Sequence, residues 1–181
     1  MIDRIIRAVR LDPTLYREVA DDEQYTNEAF MIVVIVSLFS AVGAAIGAAM
    51  GDGRPLIMFF TSLFSTILLG WFLWAVVAYY VGTALEGKSS IMEMARTLGY
   101  ANAPGLLGVF AFIPCVGPLV AFAGVVLSLA AGVIAIRESM EFDTTKAVVT
   151  AILGFIVFIV ARIVIAIMMG GVGAIGSSVL G

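Results

Sequence analysis

Histidine is absent from this chain, and Cys115 is the only cysteine in 181 residues. Without imidazole, a Ser-His-Asp triad and a Cys-His pair are excluded, together with the usual zinc and haem ligand sets. A lone cysteine also excludes a disulfide within the chain. Charge is scarce as well: 13% of residues are Asp, Glu, Lys or Arg, and the formal net charge is −3. A basic patch for nucleic acid is lacking, so no nucleic-acid partner is expected. No phosphate loop or dinucleotide motif occurs. The opening "MIDRIIRAVR" has an Arg every third residue and no apolar core behind it, so no signal peptide is read there. The chain is therefore read as no enzyme, with no cofactor and no metal.

Apolar sequence fills the space. Hydrophobic residues make up 62% and the mean hydropathy is +1.12, more than a soluble domain of this length can bury. The charges are bunched. Residues 1–28 hold four Arg against seven acids, and the rest of the chain carries six of each sign. This divides the chain into an acidic, amphipathic N-terminal segment (1–28), a transmembrane domain (29–169) and a Gly-rich C-terminal tail (170–181) expected to fray. In the first part Ile2, Ile5, Ile6 and Val9 fall at helical spacing and predict a short amphipathic helix. That helix either lies in the headgroup layer or packs on the protein's own spans. Asp12-Pro13 predicts a second helix start, and "ADDEQYTNE" reads as a solvated linker.

Five spans are expected: Ala29 to Met50, Pro55 to Ala84, the segment opening with "GYANAP", Pro118 to Ile136, and Ala147 to Met169. Ser90-x-x-Glu93 has capping-box spacing, so a short helix begins near Ile91 and must break before Pro104. Tyr100 and Asn102 are placed to meet the backbone groups which that break frees. At the far end Pro114 and Pro118 bracket a tight turn, so the third and fourth spans form a hairpin. With the N-terminus inside, the cytoplasmic segments hold eight Lys and Arg and the outside holds Arg54. The positive-inside rule then puts the N-terminus in the cytoplasm and the C-terminus outside.

Two features inside the spans stand out. Gly43, Gly47 and Gly51 line one face of the first span, where a missing Cβ allows close helix approach. A homo-oligomer face and packing against a neighbouring span are both open, the second being the simpler. Arg162 is the one charge well inside a span, and it lies in the outer half. It serves either as a snorkelling anchor or as a lipid-headgroup or anion site.

"GYANAP", an apolar span closing on "IPCVG", "IRES" after the fourth span, "TTKAVVTAI" opening the fifth and "DPTLYREV" near the start together resemble the YIP (Ypt-interacting protein) family. The resemblance runs from about Leu11 to about Ala166. It implies a five-span all-α bundle with a cytoplasmic N-terminus. In eukaryotes such proteins are linked to Rab-type GTPases and to traffic between endoplasmic reticulum and Golgi. This chain lacks the long N-terminal region of the eukaryotic members and looks like the compact prokaryotic form. A weaker likeness joins "EMARTLG" to the cytoplasmic coupling helix of ABC-importer permeases.

The expectation is a multi-pass protein of the cell membrane that organises, scaffolds or handles lipid. Membrane lipids are its expected partners, with a further cytoplasmic protein at residues 90–104. The residues marked as functional candidates are Tyr100, Asn102 and Pro104 at the elbow, Arg137 and Glu138 after the fourth span, and Arg162. A small channel or transporter built around Arg162 and an ABC-type permease subunit are the alternatives.

Overall fold

Asp12 accepts a hydrogen bond from the Thr14 amide at 3.0 Å, and Pro13 occupies the first helical position behind it. That cap separates helix α1 (Ile2–Val9) from α2 (Pro13–Asp21) as the sequence requires. The computed structural model describes the backbone of residues 1–51, 53–112 and 117–180, and the side chains of 1–51, 53–107, 119–120, 122–165 and 167. Every regular element among them is helical. The acidic stretch after α2 is structured: Asp22 caps a 3-10 turn, Glu23–Tyr25, that leads straight into α3 (Thr26–Ala49).

Among the described residues four helices are long and apolar enough to cross a membrane. The first contains α3. The second begins with α4 (Pro55–Phe64), widens into a π-helix over Ser65–Phe72 and continues as α5 (Leu73–Ala84). After α6 (Ile91–Ala101) come the third, in α7 (Gly117–Ser139), and the fourth, in α8 (Thr144–Leu180). The helix α8 runs on through the Gly-rich stretch that was expected to fray. An apolar environment has no water for free backbone groups, so a helix persists there despite glycine.

Three of these helices end alike. Leu11, Glu86 and Glu141 adopt the left-handed conformation at φ 60°, 69° and 55°. The next amide reaches back five residues: Asp12 N to Arg7 O, Gly87 N to Gly82 O and Phe142 N to Arg137 O, at 2.9–3.1 Å. These Schellman turns satisfy carbonyls that the helix ends would otherwise leave open.

Ser90 Oγ accepts from the Glu93 amide at 3.1 Å and starts α6 at the expected residue. The helix also breaks where Pro104 demands, giving way after Asn102 to a 3-10 segment, Ala103–Phe112. Its surroundings differ from those of an exposed cytoplasmic helix, because Met94 to Ala101 are all buried. Both halves of this bent element pack on α7. Ser139 Oγ donates to Glu93 Oε1 at 3.3 Å, and a Cβ placed on Gly124 would lie 3.0 Å from Pro104 O. Those contacts are about 22 Å apart along α7, at 1.5 Å per residue. Gly124 is thus glycine because the elbow's backbone crosses α7 there. The Pro114–Pro118 turn falls on residues 113–116 and their neighbours, outside the described residues.

The N-terminal helices are part of the same body. Ala8, Leu15, Tyr16 and Val19 join one core with Ala29, Met94, Leu98, Ile136 and Met140. The inward face of α1 and all the apolar residues of α2 are therefore spent on packing.

Candidate functional site

Arg96 is the most deeply buried charge among the described residues, with 5% of its surface exposed. Its guanidinium donates to Val19 O at 2.5 Å, Ala20 O at 2.6 Å and Thr26 Oγ1 at 3.3 Å. These carbonyls are the open C-terminal end of α2, where the helix dipole favours a cation. Arg96 therefore ties α2, α6 and the start of α3 together. Sequence reading had counted it only as a loop charge, because its partners lie more than seventy residues away.

A second tie lies at the entry to α3. Arg4 grips Glu28 by two hydrogen bonds, 3.0 Å and 2.5 Å, and the terminal amine lies 3.7 Å from the same carboxylate. Tyr100 is buried beside this pair, and its hydroxyl finds no hydrogen-bond partner among the described residues.

Arg137 and Glu138 belong to a third tie. Glu138 Oε1 accepts from Arg137 at 2.6 Å and 2.9 Å, while its other oxygen lies 3.5 Å from Arg17 of α2. Arg17 also donates to Glu138 O at 3.2 Å. Close by, Glu93 sits half-buried with Ser139 and Ser89, whose hydroxyls are 2.6 Å apart. Burial outweighs the Ser139 hydrogen bond and raises the Glu93 carboxyl above its ordinary value. A mixed-charge pocket of about 330 Å³ opens here, with Arg17, Asp21, Lys88, Glu93 and Arg96 in its walls. Since Met94–Ala101 are covered, Met92 and this pocket are what residues 90–104 leave exposed at this end of the bundle.

The elbow itself looks into the bundle. Asn102 Nδ2 donates to Leu98 O at 2.8 Å, holding the last turn of α6, and Pro104 is buried. Asn102 lines a cavity of about 370 Å³ with Gly70, Gly105 and Gly124. A neighbouring cavity of about 490 Å³ lies between α7 and α8, and both are lined by Gly70, Trp74, Ser128, Leu129 and Gly132. Gly70 belongs to the π-helix, a distortion that recurs at functional sites. The neighbouring Trp71 is pinned by its indole N–H to Ala95 O at 2.9 Å.

Arg162 lines neither cavity. It is exposed on α8, its guanidinium carbon 5.8 Å from the centre of the Phe158 ring. The glycine stripe on α3 also differs from the simpler expectation. A Cβ at Gly43 or Gly47 would meet nothing within 4 Å among the described residues, and at Gly51 only the helix's own Gly47 O.

No three His, Cys, Asp or Glu side chains converge as a metal site among the described residues. The geometry thus consists of a helical cap clamped by arginines, a bent element and a lateral apolar cleft. No curated protein and no solved structure matches the chain. A family model described as the Yip1 domain matches residues 11–175, from the turn before α2 through all the apolar helices. A match over that length makes this chain a member of the Yip1 domain family.

Proposed function

We propose that this protein is a non-catalytic organiser of the cell membrane, and that it acts by wedging α1 into the cytoplasmic leaflet. The observation that carries this reading is the apolar edge that α1 leaves uncovered. Ala8 is buried and Ile5 and Val9 pack on the core, yet Ile2 and Ile6, at the outer edge of the same apolar face, are 73% and 45% exposed. The Arg4–Glu28 pair holds α1 at the point where α3 turns apolar, with Phe30 and Met31 exposed just beyond. An amphipathic helix fixed at that level has its free apolar face in the headgroup and upper acyl layer. Each of the two isoleucines gains up to about 2 kcal/mol by leaving water.

The topology belongs to the same proposal: five crossings, N-terminus cytoplasmic, C-terminus outside. α6 adds about 16 Å and the 3-10 segment about 20 Å, close to the ~34 Å of α7 beside them. That supports the bent element as a crossing. Arg17, Arg96, Arg137 and Lys146 gather at one end of the bundle through their partners, with Arg54 before α4 at the other. This charge asymmetry supports the orientation. Membrane lipids are the partners, and the open glycine face of α3 leaves room for a homo-oligomer.

The test is reconstitution in phosphatidylethanolamine–phosphatidylglycerol vesicles, with membrane curvature read by electron microscopy. Wild type is expected to narrow or tubulate the vesicles in proportion to its density, and Ile2→Asn/Ile6→Asn to lose that effect while inserting normally. Equal curvature from both proteins would remove the wedge.

A further inference from the structure

We propose that the lateral cleft between the π-helix, α7 and α8 binds an acyl chain of an anionic phospholipid, with the phosphate on Arg162. This goes beyond the wedge and rests on different residues. Three observations carry it: the cleft's shape, its position and the charge at its mouth.

The larger cavity follows α8 from Val148 to Phe158, about 15 Å of helix at 1.5 Å per residue. Its 490 Å³ spread over that length gives a mean cross-section of about 33 Å². An unbranched hydrocarbon chain fits a cleft of that width. The floor is shallow because side chains are missing from it: a Cβ at Gly132 would meet nothing within 4 Å among the described residues. Trp74, set edge-on to Phe155 and Phe158 at 6.3 Å and 5.5 Å, supplies a stiff aromatic wall.

The cleft opens sideways. Leu129, Ile152, Phe155 and Ile156 along its rim are 48–60% exposed, on helices that face hydrocarbon. A lipid chain reaches it by moving within the bilayer, with no water-filled path required. At the far end Phe158 lines the cavity, and Arg162 lies one turn beyond with its guanidinium over the Phe158 ring. No carboxylate pairs with Arg162 among the described residues. Arg162 stands about 27 Å from the start of α8, in the outer half of the span, from which its long side chain reaches the outer headgroups by snorkelling. An intramembrane arginine requires an anion, and a phosphodiester whose chain enters past Phe158 supplies one.

The test uses the delipidated full chain with a Trp71→Phe change, leaving Trp74 as the sole tryptophan. It is titrated in detergent with phosphatidylglycerol or phosphatidylcholine carrying brominated chains. Tryptophan quenching and native mass spectrometry are the readouts, and circular dichroism checks folding. One phosphatidylglycerol should be retained per chain, with saturable quenching of Trp74. Gly132→Leu should abolish both, and Ser128→Leu serves the same purpose if that variant misfolds. Arg162→Gln should weaken phosphatidylglycerol about ten-fold, the worth of a charge-assisted contact, and leave phosphatidylcholine unchanged. Unchanged lipid counts and quenching in the cleft-filling variants would overturn the proposal. So would loss of a dimer without loss of lipid, which would make a second copy the occupant. Indifference of Arg162→Gln to the headgroup would overturn the assignment of Arg162.

Discussion

Arg96 shows how one side chain can hold a helix to a membrane bundle. Its three acceptors come from the last turn of α2 and the first residue of α3, and the group is almost wholly buried. Arg96→Ala leaves those carbonyls without a donor and should cost about 3 kcal/mol, since hydrogen bonds to a buried charge are expensive to lose. Trypsin should then cut at Arg17, which the wild-type cap protects. Arg96→Lys keeps the charge but not the fork, and should recover only part of that protection. Acid should loosen the same cap from its other side. The Thr14 hydroxyl and then the Arg7 guanidinium hold the Asp12 carboxyl down at about 2, from an ordinary 3.8. A depressed carboxyl stabilises the fold above its ordinary value and loses that contribution as pH falls toward the depressed one. Thermal melts should therefore weaken between about pH 4 and pH 2, and Asp12→Asn should flatten that dependence. Glu93 works in the opposite sense: its raised carboxyl favours the fold at low pH and loses that contribution as pH climbs above the ordinary 4.5.

At the scale of the helix, the sequence was most legible where the signal is local. Asp12-Pro13 and Ser90-x-x-Glu93 name their helix starts to the residue, because a cap is made by neighbours. Pro104 dictates the break in the same way. What could not be read was the company each helix keeps. α6 has the composition of an amphipathic surface helix, yet α1, α2, α3, α5 and α7 surround it. The π-helix around Gly70 has no local signature either, because it depends on what Trp71 and Trp74 reach across the bundle. Gly99 illustrates the difference. In the sequence it opens the "GYANAP" stretch, whereas in the fold it is where α6 crosses α3. A Cβ there would lie 3.0 Å from Ala29 Cβ and 3.2 Å from Ala29 O, an approach so tight that the α3 backbone would have to give by a few tenths of an ångström. Gly99→Ala should destabilise by about 1–3 kcal/mol, measured as an earlier midpoint in denaturant titration of the detergent-solubilised protein. Gly43→Ala, facing open space, should leave the midpoint unchanged and serves as the control.

For the whole molecule, composition alone was enough to require a membrane, and the charge asymmetry survives as a cluster of cations at one end of the bundle. The site was less legible. The marked residues scatter into different settings: Tyr100 beside Arg4 and Glu28, Asn102 on the cleft, Glu138 in the tie to α2, and Arg162 at the lipid-facing rim. Their spacing along the chain carried no information about that division, since α7 and α8 bring together residues that pattern cannot relate. The N-terminal segment changed most. Its first helix was open between the headgroup layer and packing on the spans, and "ADDEQYTNE" read as a solvated linker; α1 and α2 join the core, and the Ile2–Ile6 edge of α1 stays exposed. The proposed organising role depends on where that edge lies. The direct measurement is a nitrobenzoxadiazole label on Cys115→Ser/Ile6→Cys protein in phosphatidylethanolamine–phosphatidylglycerol vesicles, with Glu23→Cys in the same background as the water-exposed reference. If α1 is a wedge, the label at position 6 is quenched by lipids with nitroxides near the headgroup and shielded from aqueous dithionite, while the one at position 23 is reduced at once. Equal reduction at both positions would place α1 in water and contradict the proposed function.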